Sequence, residues 1–312
     1  MVRLRGLLAR FSAARSSLIL PQVKLRLFLM ALILAVLFVA LTTIGVSRSF
    51  LLEVQSAGAQ ITFHGTANAW HFPHAVICEP KPVPDLRQSS EPGAYCSSGL
   101  YVATGPQDFS TIWPANAVID LRIDGDGALV AEVVSGASQY PAGTLIVIPE
   151  GSWLRHGALA FQGAVVVGED MASGARHYLT EGRWEARETG LAISLFRDIT
   201  EMVKDGKFAR GAQAAVYKGK KAAVMFGHIT PSEDKPVFHV TMISEPGSTE
   251  LHLSHYGFNQ PSVIRPDWID STLSSPLMLA TILILTFFAS LTQVVSDLLG
   301  ERNGRSRPKK LE

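Results

Sequence analysis

Along most of the middle of the chain, hydrophobic and polar positions alternate. Two long apolar runs break the pattern near either end. The clearest alternation is AVIDLRIDGDGALVAEVV, where Val118, Asp120 and Arg122 interleave with Ile119, Leu121 and Ile123 before a DGDG turn and a second alternating run. A period of two flanking a Gly-rich turn predicts a β-hairpin. GTLIVIP predicts a short strand closed by proline. AQAAVYKGKKAAVMFGHI predicts a second hairpin turning at Lys218-Gly219-Lys220, and VFHVTMISEPGSTELHLSHYG a third turning at Glu245-Pro246-Gly247. One segment has a helical period: in GLAISLFRDITEMVKDG, Leu191, Leu195, Ile199, Met202 and Val203 share a face and Gly206 offers a stop. Gly151, Gly157, Gly163, Gly168 and Gly174 recur every five or six residues, as solenoid rungs or as turns between short strands. GSWLRH, GALAFQ and GAVVVG do not share a phase, which favours the turns. The expected fold is therefore mainly β, a β-sandwich or barrel-like domain with one helix; a short β-solenoid is the alternative.

The two apolar runs set the organisation. Leu27 to Ser47 and Leu277 to Val295 carry no charge. Each matches the roughly 20 apolar residues that cross a hydrocarbon core of about 30 Å, and neither shows the polar face of a buried soluble helix. Five segments follow: a basic, amphipathic stretch at 1–26, a transmembrane helix at 27–47, a β-rich domain at 48–276, a second transmembrane helix at 277–295 and a basic tail at 296–312. Residues 1–26 hold six Lys and Arg and no acid, and the tail holds five against three acids. Residues 48–270 hold 17 Lys and Arg against 24 Asp and Glu, a net −7. Basic flanks stay on the cytoplasmic side, so both termini are expected inside and the acidic middle outside. Arg26, Arg48 and Trp268 are expected at the membrane interface, and both ends of the middle domain are tethered within a few residues of a span. Ser275 can cap the second span and Pro276 suits its first turn. A bacterial inner membrane is the expected location. The Arg- and Ser-rich, acid-free N-terminus also fits a mitochondrial inner membrane.

Compartment decides the chemistry of NAWHFPHAVICEP and AYCSSGL. His71, His74, Cys78 and Cys96 could be read as a metal site. In an oxidising compartment, however, two cysteines confined to one domain read as a disulfide. The loop they would close holds Pro80, Pro82, Pro84 and Pro92 and gains about 3 kcal/mol from the clamp in the chain-entropy model. Pro73 favours an extended backbone that sets the His71 and His74 backbones roughly 9 Å apart, which disfavours them as two ligands on one zinc unless a tight turn brings them together. They remain weak metal candidates. In a strand, His252 and His255 would point to opposite faces.

No nucleophile elbow, HExxH or phosphate loop occurs, and no cofactor is expected. Basic residues cluster only in the tails, which suits membrane lipids rather than nucleic acid. The tails are too short for a cytoplasmic output domain. The expectation is a non-enzymatic inner-membrane protein whose outer β domain binds another membrane or periplasmic protein, or an envelope component, beside the bilayer; a homo-oligomer is possible. One alternative is an enzyme acting on envelope glycans or lipids through Asp120 with Glu132, or His71 with Asp108. Another is an oligomerising effector that permeabilises the bilayer through the Thr286 face of the second span.

Overall fold

The computed structural model describes residues 47–66, 68–85, 95–169, 177–189, 200–255 and 260–267, with isolated helical positions at 33, 270, 282–284, 286–287, 290 and 294. The chain divides into two compact units, Met1–Ser47 with Thr189–Thr200, and Arg48–Glu188 with Glu201–Glu312. Almost all described residues belong to the second, which is mainly β.

Its framework is one antiparallel sheet that curls back on itself. β1 (Ser47–Ser56) and β2 (Gly58–Phe63) form a single run interrupted only at Ala57. β1 pairs with β15 (Phe238–Ser244), β15 with β14 (Met225–Pro231), β14 with β9 (Leu159–Val167), and β9 with β2. Walking across the sheet from β1 therefore leads back to its own continuation. On the outer edge of β1 lies β10 (Leu179–Thr189), which pairs in turn with β11 (Glu201–Lys207). On the far edge of β2 the order runs through β6 (Val118–Ile123), β7 (Leu129–Ser135) and β8 (Leu145–Ile148) to β3 (Ala69–Pro80). β4 (Tyr101–Ala103) and β5 (Gln107–Ile112) also pair with β3. β12 (Gln213–Lys218) joins both β9 and β16 (Thr249–Ser254), and β17 (Ser262–Ile264) adds to β16.

Alternation places one face of each strand inside. In β6, Ile119, Leu121 and Ile123 are buried while Val118, Asp120 and Arg122 are not. The main core gathers Phe50, Leu52, Ile61, Phe63, Phe161, Phe238 and Val240 with an aromatic nest. In that nest Trp113 stacks on Phe63 at 5.7 Å and meets Trp70 edge-on at 5.6 Å. Burial of such rings supplies the largest single favourable contributions to the fold.

β3 is also latched to β9 by side chains. The Trp70 indole donates to the Ala160 carbonyl at 2.9 Å. Fully buried Asn68 accepts from the Gln162 amide at 3.0 Å and donates to His64 and Gly65 carbonyls.

The predicted β6–β7 hairpin is present, with Asp120 opposite Glu132 and the turn where expected. So is the GTLIVIP strand, as β8. Three expectations are corrected. The second hairpin turns at the expected lysines, but its returning arm, β13 (Lys221–Ala222), pairs with β12 for two residues only before β14 leaves to join β15 and β9. The third is not a hairpin: β15 and β16 lie on different partners, because Gly247 exchanges both backbone hydrogen bonds with Arg48 and so continues along β1 instead of folding back. The helix does not reach Gly206, since 201–207 is strand β11. Trp184 lies over Gly206 so closely that a Cβ there would sit 2.6 Å from the ring. Residues 190–199 lie outside the described residues. Nor do the spaced glycines mark solenoid rungs: Gly163 is inside strand β9 and Gly151 inside helix α1 (Glu150–His156).

Asn68→Ala removes the acceptor for a buried amide, which costs about 1–3 kcal/mol. At about 2–4 °C per kcal/mol for a domain of this size, the melting temperature should fall by several degrees. Gln60→Ala, which deletes an exposed bond to Asp120, should leave it within about a degree, by circular dichroism of the full chain.

Candidate functional site

Cys78 and Cys96 are joined, with Cα atoms 6.3 Å apart, inside the usual disulfide range. The bridge holds residues from Cys96 onward against the outer face of β3, β7 and β8. There Val76, Ala128, Val130, Leu145 and Val147 form a second small cluster that Tyr101 covers. β8 is consequently buried on both faces, which explains its unbroken apolar sequence. Loop residues 86–94 lie outside the described residues. The metal reading of this segment loses both thiolates to the bridge. His71 is exposed on β3, and His74 sits in a bulge at φ 60° where the β3–β5 register shifts. Among the described residues no three His, Cys, Asp or Glu side chains are placed to hold a metal.

The acid pairs do not form a cleft. Asp120 and Glu132 face each other across β6 and β7, but Asp120 accepts from Gln60 at 2.8 Å and Glu132 from Arg122 at 2.6 Å. The notch beside Asp120 has about 170 Å³ and does not include Glu132. That falls below the roughly 300 Å³ of small ligand pockets. His71 lies opposite Ser110, with Asp108 diagonal to it on the same exposed face.

A larger depression opens on the outward face of β10, β1 and β15. Glu53, Gln55, Arg183, Lys207, His239 and Thr241 line a groove of about 420 Å³. Arg183 donates to Glu53 at 2.7 Å, and this hydrogen bond, reinforced by the charges of Arg183 and Arg187, holds the Glu53 carboxyl below its usual range. The stability this confers is present above the unfolded carboxylate value and is lost as pH falls through the lowered folded one. Both partners stand in solvent, so it amounts to less than about 1 kcal/mol. One step toward the start of β1, Leu51 faces Ile243, and Ile243 faces Phe226. Ile243 is 37% exposed and Phe226 43%. A mixed-charge groove therefore borders an apolar row, an arrangement missed by sequence reasoning because only the pairing of β1, β15 and β14 brings these residues together.

Arg48, Glu188 and Pro266 form the other notable cluster. The Arg48 side chain is 14% exposed and Glu188 3%. Arg48 Nε donates to Glu188 at 2.8 Å, and Nη2 to Glu188 and to the Pro266 carbonyl. The guanidinium thus turns onto the protein. Nearby, Lys204 reaches Asp270 at 3.0 Å and, with the Asp267 amide, lowers its pKa. The cluster brings together the two ends of the β unit, where the chain leads toward its two apolar runs. Arg26 and Trp268 lie outside the described residues, as do the runs except at isolated positions. Among the described residues no helix is long and apolar enough to cross a membrane. No family model matches the chain, nor does any curated protein or solved structure.

Replacing Cys78 and Cys96 by serine should cost about 3 kcal/mol, seen as a lower denaturant midpoint that reductant reproduces in the parent. Glu188→Gln removes the charge partner of a part-buried guanidinium that keeps its bond to Pro266 and should cost about 1.5–3 kcal/mol. Glu53→Gln should cost under 1 kcal/mol by the same titration.

Proposed function

We propose that this is a non-enzymatic protein of a bacterial inner membrane, anchored by two helices. Its outer, disulfide-clamped β domain binds a second membrane or periplasmic protein beside the bilayer. The observation that carries the binding role is the mixed-charge groove of β10, β1 and β15 bordered by the row Leu51–Ile243–Phe226. An extended, mixed-charge polypeptide with one apolar anchor complements that surface. Association through such a patch draws its energy chiefly from the few buried apolar anchors.

Anchoring is supported from two sides. The Arg48–Glu188–Pro266 cluster holds together the two ends of the β unit, from which the chain leads toward its two apolar runs. In the second apolar run, the described helical residues Ile282, Leu283, Ile284, Phe287 and Val294 expose apolar side chains. Thr286 and Ser290 hydroxyls turn back on their own helix, Thr286 to the Ile282 carbonyl at 2.8 Å and Ser290 to the Thr286 carbonyl at 2.9 Å. Satisfying polar groups internally is what a lipid environment demands.

A photo-crosslinking residue in place of Phe226, in the intact membrane, is expected to give one discrete protein adduct. Ile243→Asp should abolish the adduct while lowering the melting temperature only modestly, because the side chain lies outside the buried core. Absence of a discrete adduct at position 226, or its persistence in the Ile243→Asp variant, would refute binding at this surface.

A further inference from the structure

A second surface lies at the exit end of the β unit. β12 and β13 meet in a tight turn, with Lys218 opposite Lys221 and Gly219 at φ 64°, a conformation that suits glycine. Three links tie this turn to the start of β1. Lys218 lies opposite Thr249; the Thr249 hydroxyl donates to the Arg48 carbonyl at 2.9 Å; and Gly247, two residues earlier, exchanges backbone bonds of 2.8 and 2.9 Å with Arg48. Arg265, 64% exposed, directly precedes Pro266, which accepts from Arg48. Lys220, Lys221 and Arg265 thus stand around the point where the chain leaves for its apolar runs.

The local charges separate into paired and unpaired groups. Lys218 is 3.1 Å from Glu245 and Arg265 is 3.3 Å from Glu250. Lys220 and Lys221 are exposed, with no ion pair to any described acid. Exposed lysines are solvated and need no partner for stability, so these two are left available to an anionic surface.

We propose that the Lys220–Lys221 turn binds the anionic headgroups of the bilayer and seats the β domain on the membrane; this rests on the anchoring given above. Heights agree. Arg48 follows the first apolar run directly, and a strand rises about 3.3 Å per residue. A turn level with Arg48 falls within the headgroup layer, roughly 5–8 Å deep on each side. At this end Glu188, Asp270, Glu245 and Glu250 are each paired with a base, namely Arg48, Lys204, Lys218 and Arg265, and acids more than about 8 Å away are screened at physiological salt. Each lysine near an anionic surface contributes about 1 kcal/mol, or about a fivefold shift in the seated population.

The test uses the full chain in nanodiscs. Both native cysteines are bridged, so Ser248→Cys supplies one thiol for a fluorophore beside the turn. Quenching by headgroup spin-labelled lipid should be strong in discs rich in phosphatidylglycerol and severalfold weaker in phosphatidylcholine. Lys220→Glu with Lys221→Glu should abolish the difference. A label at Asp126→Cys, in the β6–β7 turn, should stay unquenched in both. Equal quenching in the two lipids, no quenching in either, or a difference that survives the double substitution would overturn the inference and leave the Phe226 adduct untouched. Failure of the chain to enter discs would instead remove the anchoring on which both proposals stand.

Discussion

The bend between β1 and β2 is the constraint on which the architecture depends. One strand serves two neighbourhoods: before Ala57 its partners are β10 and β15, and after it they are β6 and β9. The backbone polar groups at the bend find partners inside the protein: Ala57 donates to the Tyr178 carbonyl and accepts from Ile123, the Gly58 carbonyl accepts from Gly168, and fully buried Ser56 adds contacts to Gly58. Its hydroxyl donates to the Gly58 carbonyl at 2.6 Å and accepts from the Gly58 amide at 3.2 Å. Gly58 must lack a side chain, since a Cβ there would stand 2.7 Å from the His177 carbonyl and Cβ. A sheet that returns to its own first strand exposes fewer unpaired edges. It also lets Phe50 and Leu52 from one side of the bend share a core with Ile61 and Phe63 from the other.

Much of this was legible in the sequence wherever local pattern and pairing agree. The β6–β7 hairpin was readable because alternation, turn glycines and neighbouring register all select the same arrangement. The disulfide was readable from the count, two cysteines confined to one domain beside a proline-rich loop. What failed were places where a distant strand competes with a local signal. Glu245-Pro246-Gly247 has the composition of a turn, yet Arg48, some two hundred positions away, takes the backbone bonds of Gly247. Met202 and Val203 fit a helical stripe, but pairing with Arg187 and its neighbours draws them into β11. The groove had no local signature at all, because its lining comes from four strands that only tertiary pairing assembles.

The Arg48–Glu188 pair should not be counted as a large source of stability. Removing two charges from water costs several kcal/mol each, and their attraction offsets this only with good geometry and further hydrogen bonds. Here those bonds exist, from Arg48 Nε and Nη2 and to the Pro266 carbonyl. The pair's larger effect is on specificity. A guanidinium this buried tolerates one arrangement of the ends of β1 and β10 and of the segment after β17. Alternatives that separate the ends leave a charge unpaired in a poor dielectric. The pair thus selects the fold in which both exits emerge together.

That selection bears on what kind of partner the groove can meet. Glu53 lies five residues along β1 from Arg48, about 16 Å at the usual strand rise. Under the proposed anchoring, β1 begins directly after the first apolar run and would leave the domain little room to lift or tilt. A partner engaging Glu53, Arg183 and the Ile243–Phe226 row would then approach within about 20 Å of the lipid surface, where a flexible soluble ligand pays an orientational penalty and a membrane-held one does not. Confinement beside the bilayer raises the local concentration of a co-anchored partner in the same way that a short linker does. On that proposal, a modest groove, weak in free solution, would suffice for stable association in the membrane plane.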